Sequence, residues 1–268
     1  MNVKKIRTQW EEGKVVIGTG ILELRVPSIA QMFATLGYQF LVIDCEHGAY
    51  SMETVEDIIR VARNVGIVPI VRVAEEAYHL IARSLDLGAQ GIIIPHVETR
   101  KQIEKAKEAM RYAPLGKRGV TLGIAHNDFM MVNAEEYRDK ANKEILLIAQ
   151  IESEHAVNNL DKIINKGDDI DILMVGPMDM SFTVGMPGQF MSPKVKEMVT
   201  EVLNKAKEYN IPAAYSDPDI NRVKYWIEQG YQLIWYSSDI ALISQKAKED
   251  LDLLQNYLEE ICKENKCK

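Results

Sequence analysis

The sequence predicts an α/β protein: a single (β/α)8 barrel domain spanning residues 1–268. Three observations carry that prediction. Short runs of Ile, Val and Leu without polar alternation recur along the whole chain, the pattern of strands buried on both faces. Each run is followed by a segment of helical periodicity, and such alternation produces a parallel sheet. No Pro-rich linker, low-complexity tract or shift in composition divides the 268 residues, a length that barrels reach as one domain.

In chain order the predicted strands are KVVIGTG (14–20), FLVIDC (40–45), VPIVRV (68–73), GIIIPHV (91–97), ILLIAQIE (145–152), DILMVG (171–176), PAAYS (212–216) and LIWYSS (233–238). Helical patterns cover 51–64, 76–86, 99–110, 192–209 and 218–229. Phrases such as LGYQF, VGIVP, LGAQG and YNIPA place Gly or Asn where a helix stops and the chain turns back to a strand. The first strand is followed by GTGILEL, a poor match to a dinucleotide-binding glycine fingerprint, so a closed barrel is favoured over a doubly wound sheet. One connection, of about 50 residues between GIIIPHV and ILLIAQIE, contains YAPLGKRGVTLGIAHNDF and reads as a lid or binding loop. From Asp239 to about Cys262, Ile240, Leu251, Leu254, Leu258 and Ile261 keep helical spacing past the length a barrel needs. That segment reads equally as a helix packed on another subunit and as a long last helix on its own barrel.

The net charge of −7, with both signs spread along the chain, argues against a nucleic-acid surface, which needs a clustered basic face. Small molecules are the expected partners. MNVKKIRTQWEEG lacks the apolar core of a secretory signal, and no apolar run approaches the roughly 20 residues that span a bilayer, so a cytoplasmic protein without membrane contact is expected. Cys45, Cys262 and Cys267 form no zinc-like pair of pairs and read as reduced thiols.

In barrels of this kind reactive groups gather where strands end. Here those positions hold Asp44, Glu46 and His47; Arg72; His96; Gln150 and Glu152; Asp179; Ser216 and Asp217; Ser237 and Asp239. Glu152 and Asp179 are oxygen ligands suited to a hard divalent cation such as Mg²⁺ or Mn²⁺, too few to close a cage, which leaves positions open for water or substrate. Arg72 offers a permanently charged fork for a carboxylate or a developing enolate oxygen. His47 is a natural proton shuttle near neutrality, and Asp44, three residues earlier, is placed to orient its imidazole. Together they describe a metal-held enolate with a histidine acid/base. None of the eight strand-end windows holds a lysine, which leaves a Schiff-base aldolase without a nucleophile.

Plainer readings stand beside these. Asp44 reads equally as a turn cap, Glu152 as a favourable charge before the helix SEHAVNNLDKII, and Asp179 as a helix cap. Arg72 also fits a structural ion pair, and His96 and His155 fit ordinary surface or packing positions.

At these residues the chain resembles a known family. DCEHGAY, PIVRV, LDLGAQGIIIPHV, KRGV, AQIES and GPMDMSFTVGMPGQF are similar, in this order, to the metal-dependent pyruvate aldolases of the HpcH/HpaI family, over about residues 15–245. The family includes hydroxy-oxo-heptanedioate and keto-deoxy-glucarate aldolases. The resemblance implies a barrel of the phosphoenolpyruvate/pyruvate type, usually hexameric with the last helix exchanged between neighbours. It implies a Mg²⁺, Mn²⁺ or Co²⁺ ion that holds pyruvate through its keto and carboxylate oxygens. Position by position, Glu152 and Asp179 match the metal ligands, His47 the base, Asp44 its partner and Arg72 the enolate-stabilising arginine. Gln150 matches a residue lining the pocket, and Asp86 an acidic residue near the active site at the subunit boundary. Gly176 and Pro177 match the turn that shapes the pyruvate pocket, where backbone groups there and at Met178 meet the carboxylate.

The implied activity is reversible aldol cleavage of a 4-hydroxy-2-oxo acid to pyruvate, or a similar 2-oxo acid, and an aldehyde through a metal-stabilised enolate. The alternatives are the same enolate attacking a thioester or other activated carbonyl, and an inactive barrel that binds a 2-oxo acid. Three departures bear on the choice. Met178 stands where many members have a small residue; TLGIAHNDF replaces an arginine-bearing loop that faces the acceptor side in the family; and YSSDI replaces a glycine-containing turn.

Overall fold

The structure is a computed structural model that describes residues 3–164 and 170–264. Cys267 lies outside the described residues. Eight parallel strands close into a barrel in chain order: β1 (Val16–Ile21), β2 (Phe40–Asp44), β3 (Val68–Arg72), β4 (Gly91–Ile94), β5 (Leu146–Ile151), β6 (Ile172–Val175), β7 (Ala213–Asp217) and β8 (Leu233–Ser238). Closure runs through the β1–β8 pair, with Val16 opposite Leu233 and Gly18 opposite Trp235. All eight strands fall where the apolar runs predict them. Their near-continuous burial explains why those runs lack polar alternation, since helices cover the outer face and side chains fill the inner one.

The five predicted helices are present as Met52–Val65, Tyr78–Asp86, Arg100–Met110, Pro193–Glu208 and Ile220–Gln229. Local chemistry sets their ends. Ser51 accepts from the Thr54 N–H and Asp219 from those of Asn221 and Arg222, meeting donors that the first turn leaves open. Other helices went unread, among them Val3–Glu11, Ser28–Thr35 and Ala134–Glu144. The first of these lays Val3, Ile6 and Trp10 against the interior of the barrel beside Val16, Phe40 and Leu146, plugging the end where strands begin. The opposite end, where strands finish, stays open for chemistry.

The long connection is not a lid over this chain's own strand ends. Arg100–Met110 carries the chain from the mouth to the base before the extra residues begin, so they pack among the lower ends of other helices. Arg63, near the end of Met52–Val65, donates to the Ala125 carbonyl at 2.7 Å. Arg118 pairs with Asp86 at 2.7 Å, and the buried His126 lies between Tyr137 and the Thr121 carbonyl. Burial and the nearby Arg118 hold that imidazole below its ordinary pKa.

The last helix, Asp239–Glu264, leaves Leu251, Leu254 and Leu258 exposed within one chain, so its outer apolar stripe does not pack on its own barrel. Among the described residues no helix is long and apolar enough to cross a membrane. The start of the last helix is anchored by Asp239, whose buried carboxylate accepts from three successive backbone N–H groups, Leu22 at 3.0 Å, Glu23 at 3.2 Å and Leu24 at 2.7 Å. Removing the acceptor strands those donors. Asp239→Ala is expected to lower the unfolding free energy by about 3 kcal/mol in chemical denaturation; a loss under about 1 kcal/mol contradicts this anchoring role.

Candidate active site

The floor of the mouth is built on adjacent strand ends. Asp44 and Arg72 are register partners on β2 and β3, which sets their side chains together before any other contact forms. Arg72 donates through Nε to Asp44 Oδ1 at 3.0 Å and through Nη2 to Oδ2 at 2.5 Å, a planar fork on a carboxylate that is wholly buried. Burial opposes the guanidinium charge, but Asp44, followed by Glu46 and Glu152, more than offsets it and raises its pKa.

Asp44 does not orient the His47 imidazole. Its Oδ1 accepts from the backbone N–H groups of Glu46 at 3.0 Å and His47 at 3.2 Å. A carboxylate two or three residues before a tight turn meets the turn's amides, so Asp44 acts as turn cap and as Arg72 anchor at once. The carboxylate nearest the imidazole is Glu46, with Oε2 3.9 Å from Nε2, and the ring is 61% exposed, free to meet a ligand. Glu46 also lies 3.2 Å from Arg72 Nε and 3.0 Å from His96 Nε2.

Across the mouth, Glu152 follows β5 and Asp179 sits in the first turn of the helix Pro177–Thr183. Glu152 is 2% exposed; its Oε1 accepts from the His96 N–H at 2.9 Å and lies 3.7 Å from His96 Nδ1. His96 takes a left-handed φ of 50°, the local conformation from which it presents both its amide and its ring to the two acids. Burial pushes the Glu152 carboxyl up to about 8; the neighbouring Asp179 and Glu46 push the same way, against the His96 N–H. Gly176 makes the room: a Cβ there would lie 2.5 Å from Glu152 Oε2 and 2.9 Å from Gln150 Nε2.

These residues fit a hard divalent cation. Glu152, whose ionisation burial opposes, gains from a bound positive charge, Asp179 adjoins it, and beside them Gln150 Oε1 is buried without a hydrogen-bond partner. Among the described residues no group of three or more His, Cys, Asp or Glu side chains forms a metal cage, so most of the cation's ligands would come from outside that set.

A cavity of about 220 Å³ joins the parts: His47, Arg72, Gln150, the Gly176–Asp179 turn, and a far side made by Phe190 with Ser216–Pro218, of which Ser216 and Asp217 are legible in the sequence as strand-end positions but without a role. A larger groove of about 1000 Å³ lies at the base beside Trp10 and Tyr209 and holds none of these groups. Arg222 supports the far wall. It donates through Nε and Nη2 to buried Asp217, both at 2.7 Å, and lies 4.7 Å over the Phe190 ring. Met178 is exposed at the rim. Asp86 is not brought to this chain's cavity, because its helix runs away from the mouth and delivers the side chain to Arg118. His96 is not the ordinary surface histidine the sequence allowed; its place after IIIP, at a strand end, was the available signal. Phe190 closes the motif GPMDMSFTVGMPGQF, but only the tertiary fold carries its loop to the residues after β7 and gives it a place in the wall.

In metal-free protein Glu152 holds its proton more tightly folded than unfolded. The stabilisation this contributes is complete below about 4.5 and is lost as pH rises through about 8. Thermal melts across that window should show a decline that Glu152→Gln flattens; an equal decline in the variant contradicts the assignment.

Comparison with known proteins agrees with the geometry. The family model of HpcH/HpaI aldolase/citrate lyase matches residues 22–245. A 2-dehydro-3,6-dideoxy-6-sulfogluconate aldolase from Pseudomonas putida is 30% identical over 239 residues, 89% of this chain and 92% of that one. The crystal structure of an HpcH/HpaI aldolase from Desulfitobacterium hafniense DCB-2 superposes with a TM-score of 0.89 at 30% identity, covering 93% of this chain and 96% of that one. That of the citrate synthase SbnG superposes with a TM-score of 0.82 at 28% identity, covering 94% and 98%. With the family model matching residues 22–245 and a 30% identical relative covered over 92% of its length, the chain belongs to the HpcH/HpaI aldolase/citrate lyase family.

Proposed function

We propose that this protein is a divalent-metal-dependent aldolase that reversibly cleaves a 4-hydroxy-2-oxo acid into pyruvate, or a close 2-oxo acid, and an aldehyde. The observation that carries the reading is a cavity lined by Arg72, His47, Gln150 and Asp179, with the buried Glu152 adjoining Asp179. Glu152 and Asp179, with Gln150 beside them, would hold Mg²⁺, Mn²⁺ or Co²⁺, which when bound acts as a Lewis acid toward the 2-oxo group. Arg72 presents fixed positive charge to the oxygen that becomes negative, the preorganised electrostatics that supply much of such catalysis. His47 accepts the 4-hydroxyl proton as the C3–C4 bond breaks; the bond's electrons pass to C3 and the 2-oxo oxygen as an enolate, and C4 leaves as the aldehyde. Protonation of C3 then yields the 2-oxo acid. The Gly176–Met178 backbone offers its turn to the carboxylate.

The acceptor side favours a short, uncharged aldehyde. Its wall is Met178, Phe190 and Pro218. With Asp44 paired to Arg72 and Asp217 to Arg222, the remaining acids Glu46, Glu152 and Asp179 already exceed the charge of one divalent cation. A second reading, enolate attack on a thioester or other activated carbonyl, is supported by the likeness to a citrate synthase. The exposed stripe of Leu251, Leu254 and Leu258 supports assembly with further copies, a hexamer on the family's pattern, and we place the protein in the cytoplasm.

With Mg²⁺ in D₂O the protein is expected to exchange the methyl protons of pyruvate, read by NMR. Arg72→Ala should slow exchange about 10²- to 10³-fold while Mn²⁺ affinity holds within about threefold; parallel loss of metal binding contradicts the role of Arg72. Uncharged aldehydes should exceed carboxylate-bearing ones by at least about tenfold in kcat/KM for aldol addition. The reverse order contradicts the reading of the wall, and turnover only with a thioester supports the second reading.

A further inference from the structure

The fork on Asp44 fixes only one edge of Arg72. Among the described residues Nη1 has no hydrogen-bond partner, so the direction in which it points depends on what holds the plane of the guanidinium. The guanidinium carbon lies over the Trp235 ring, 5.0 Å from the indole centroid. Trp235 belongs to the interior of the barrel, 6% exposed, opposite Gly18 on β1 and Ser216 on β7 in register.

Two features of the chain seat the indole. On β1, a Cβ at Gly20 would come within 2.4 Å of Trp235 Nε1 and 2.7 Å of Cε2 and Cζ2, so a glycine is needed for the ring to lie there. At the end of β8, Ser237 takes a left-handed φ of 58°, uncommon for a residue with a side chain, and its carbonyl accepts from Trp235 Nε1–H at 2.9 Å. The same carbonyl meets Thr19 Oγ1 at 3.5 Å. The indole is thus held by its own N–H and given clearance at Gly20, while the guanidinium lies over the ring.

We propose that Trp235 is a positioning residue for the reaction: its indole fixes the plane of the Arg72 guanidinium at the cavity floor and keeps Nη1 aimed at the oxygen where negative charge develops. This rests on the proposed part of Arg72 in stabilising an enolate. A cation over an aromatic face is attracted to it, and the indole screens that face from water, so the charge stays directed at the cavity. A guanidinium free to tilt has to be reoriented in each turnover, which weakens the transition state more than the bound ground state.

The test is a set of three variants read by pyruvate proton exchange with Mg²⁺, by kcat and KM for pyruvate separately, and by Mn²⁺ binding. Trp235→Leu is expected to lower kcat about 10- to 100-fold with KM and Mn²⁺ affinity within about threefold. Trp235→Phe, which keeps an aromatic face, should recover most of that loss. Gly20→Ala displaces the indole without deleting it and should reproduce the leucine variant's split between kcat and KM, which guards against a variant that simply misfolds. If wild type exchanges while folded Trp235→Leu and Gly20→Ala keep its kcat, or the phenylalanine variant is no better than leucine, the positioning role is overturned and the enolate reading stands. If wild type exchanges with none of Mg²⁺, Mn²⁺ or Co²⁺, both are overturned.

Discussion

The site depends on keeping Glu152 beside Asp179 at the end of the barrel where burial penalises the Glu152 charge. Left alone, Glu152 keeps its proton to about pH 8. The surrounding structure maintains that tension. Gly176 lets the turn pass without displacing Glu152, Pro177 starts the helix that carries Asp179, and the left-handed His96 supplies an N–H to the buried oxygen. On the proposed function, a bound divalent cation would convert that penalty into affinity, and these local irregularities would serve that one end.

The opposite side of the mouth solves a related problem with the other sign. A buried arginine is stable only if its charge is matched, and Asp44 matches it in a fork while capping the turn that carries Glu46 and His47. One carboxylate therefore sets both the guanidinium and the geometry of the turn that carries His47. Loss of Asp44 would damage both, so its importance to activity does not require contact with the imidazole.

Much of this was legible in the sequence because a closed parallel barrel writes itself as apolar runs with polar groups at their ends. Asp44, Arg72, Gln150 and Glu152 were found by position along a strand, and register then brings β2 to β3 and β5 to β6. What could not be read is what a side chain does once there. Asp44 three residues before His47 suggests a carboxylate orienting an imidazole, yet the tight turn brings it the backbone N–H. The helix Val3–Glu11 is legible in the spacing of Val3, Ile6 and Trp10, although a short charged segment at this position reads first against the pattern of a targeting signal. The long connection looked like a lid because length alone does not say at which end of a barrel extra residues emerge. Asp86 shows the same ambiguity, since a helix between mouth and base can deliver its last residue only to the base.

The most direct measurement is a crystal structure of the protein soaked with Mn²⁺ and pyruvate, with anomalous scattering used to locate the ion. The account predicts one Mn²⁺ peak bonded to carboxylate oxygens of both Glu152 and Asp179, with pyruvate in the cavity and an oxygen of it on the Arg72 side. A Mn²⁺ peak elsewhere, or pyruvate bound away from Arg72 with Glu152 still paired to Asp179 alone, contradicts it.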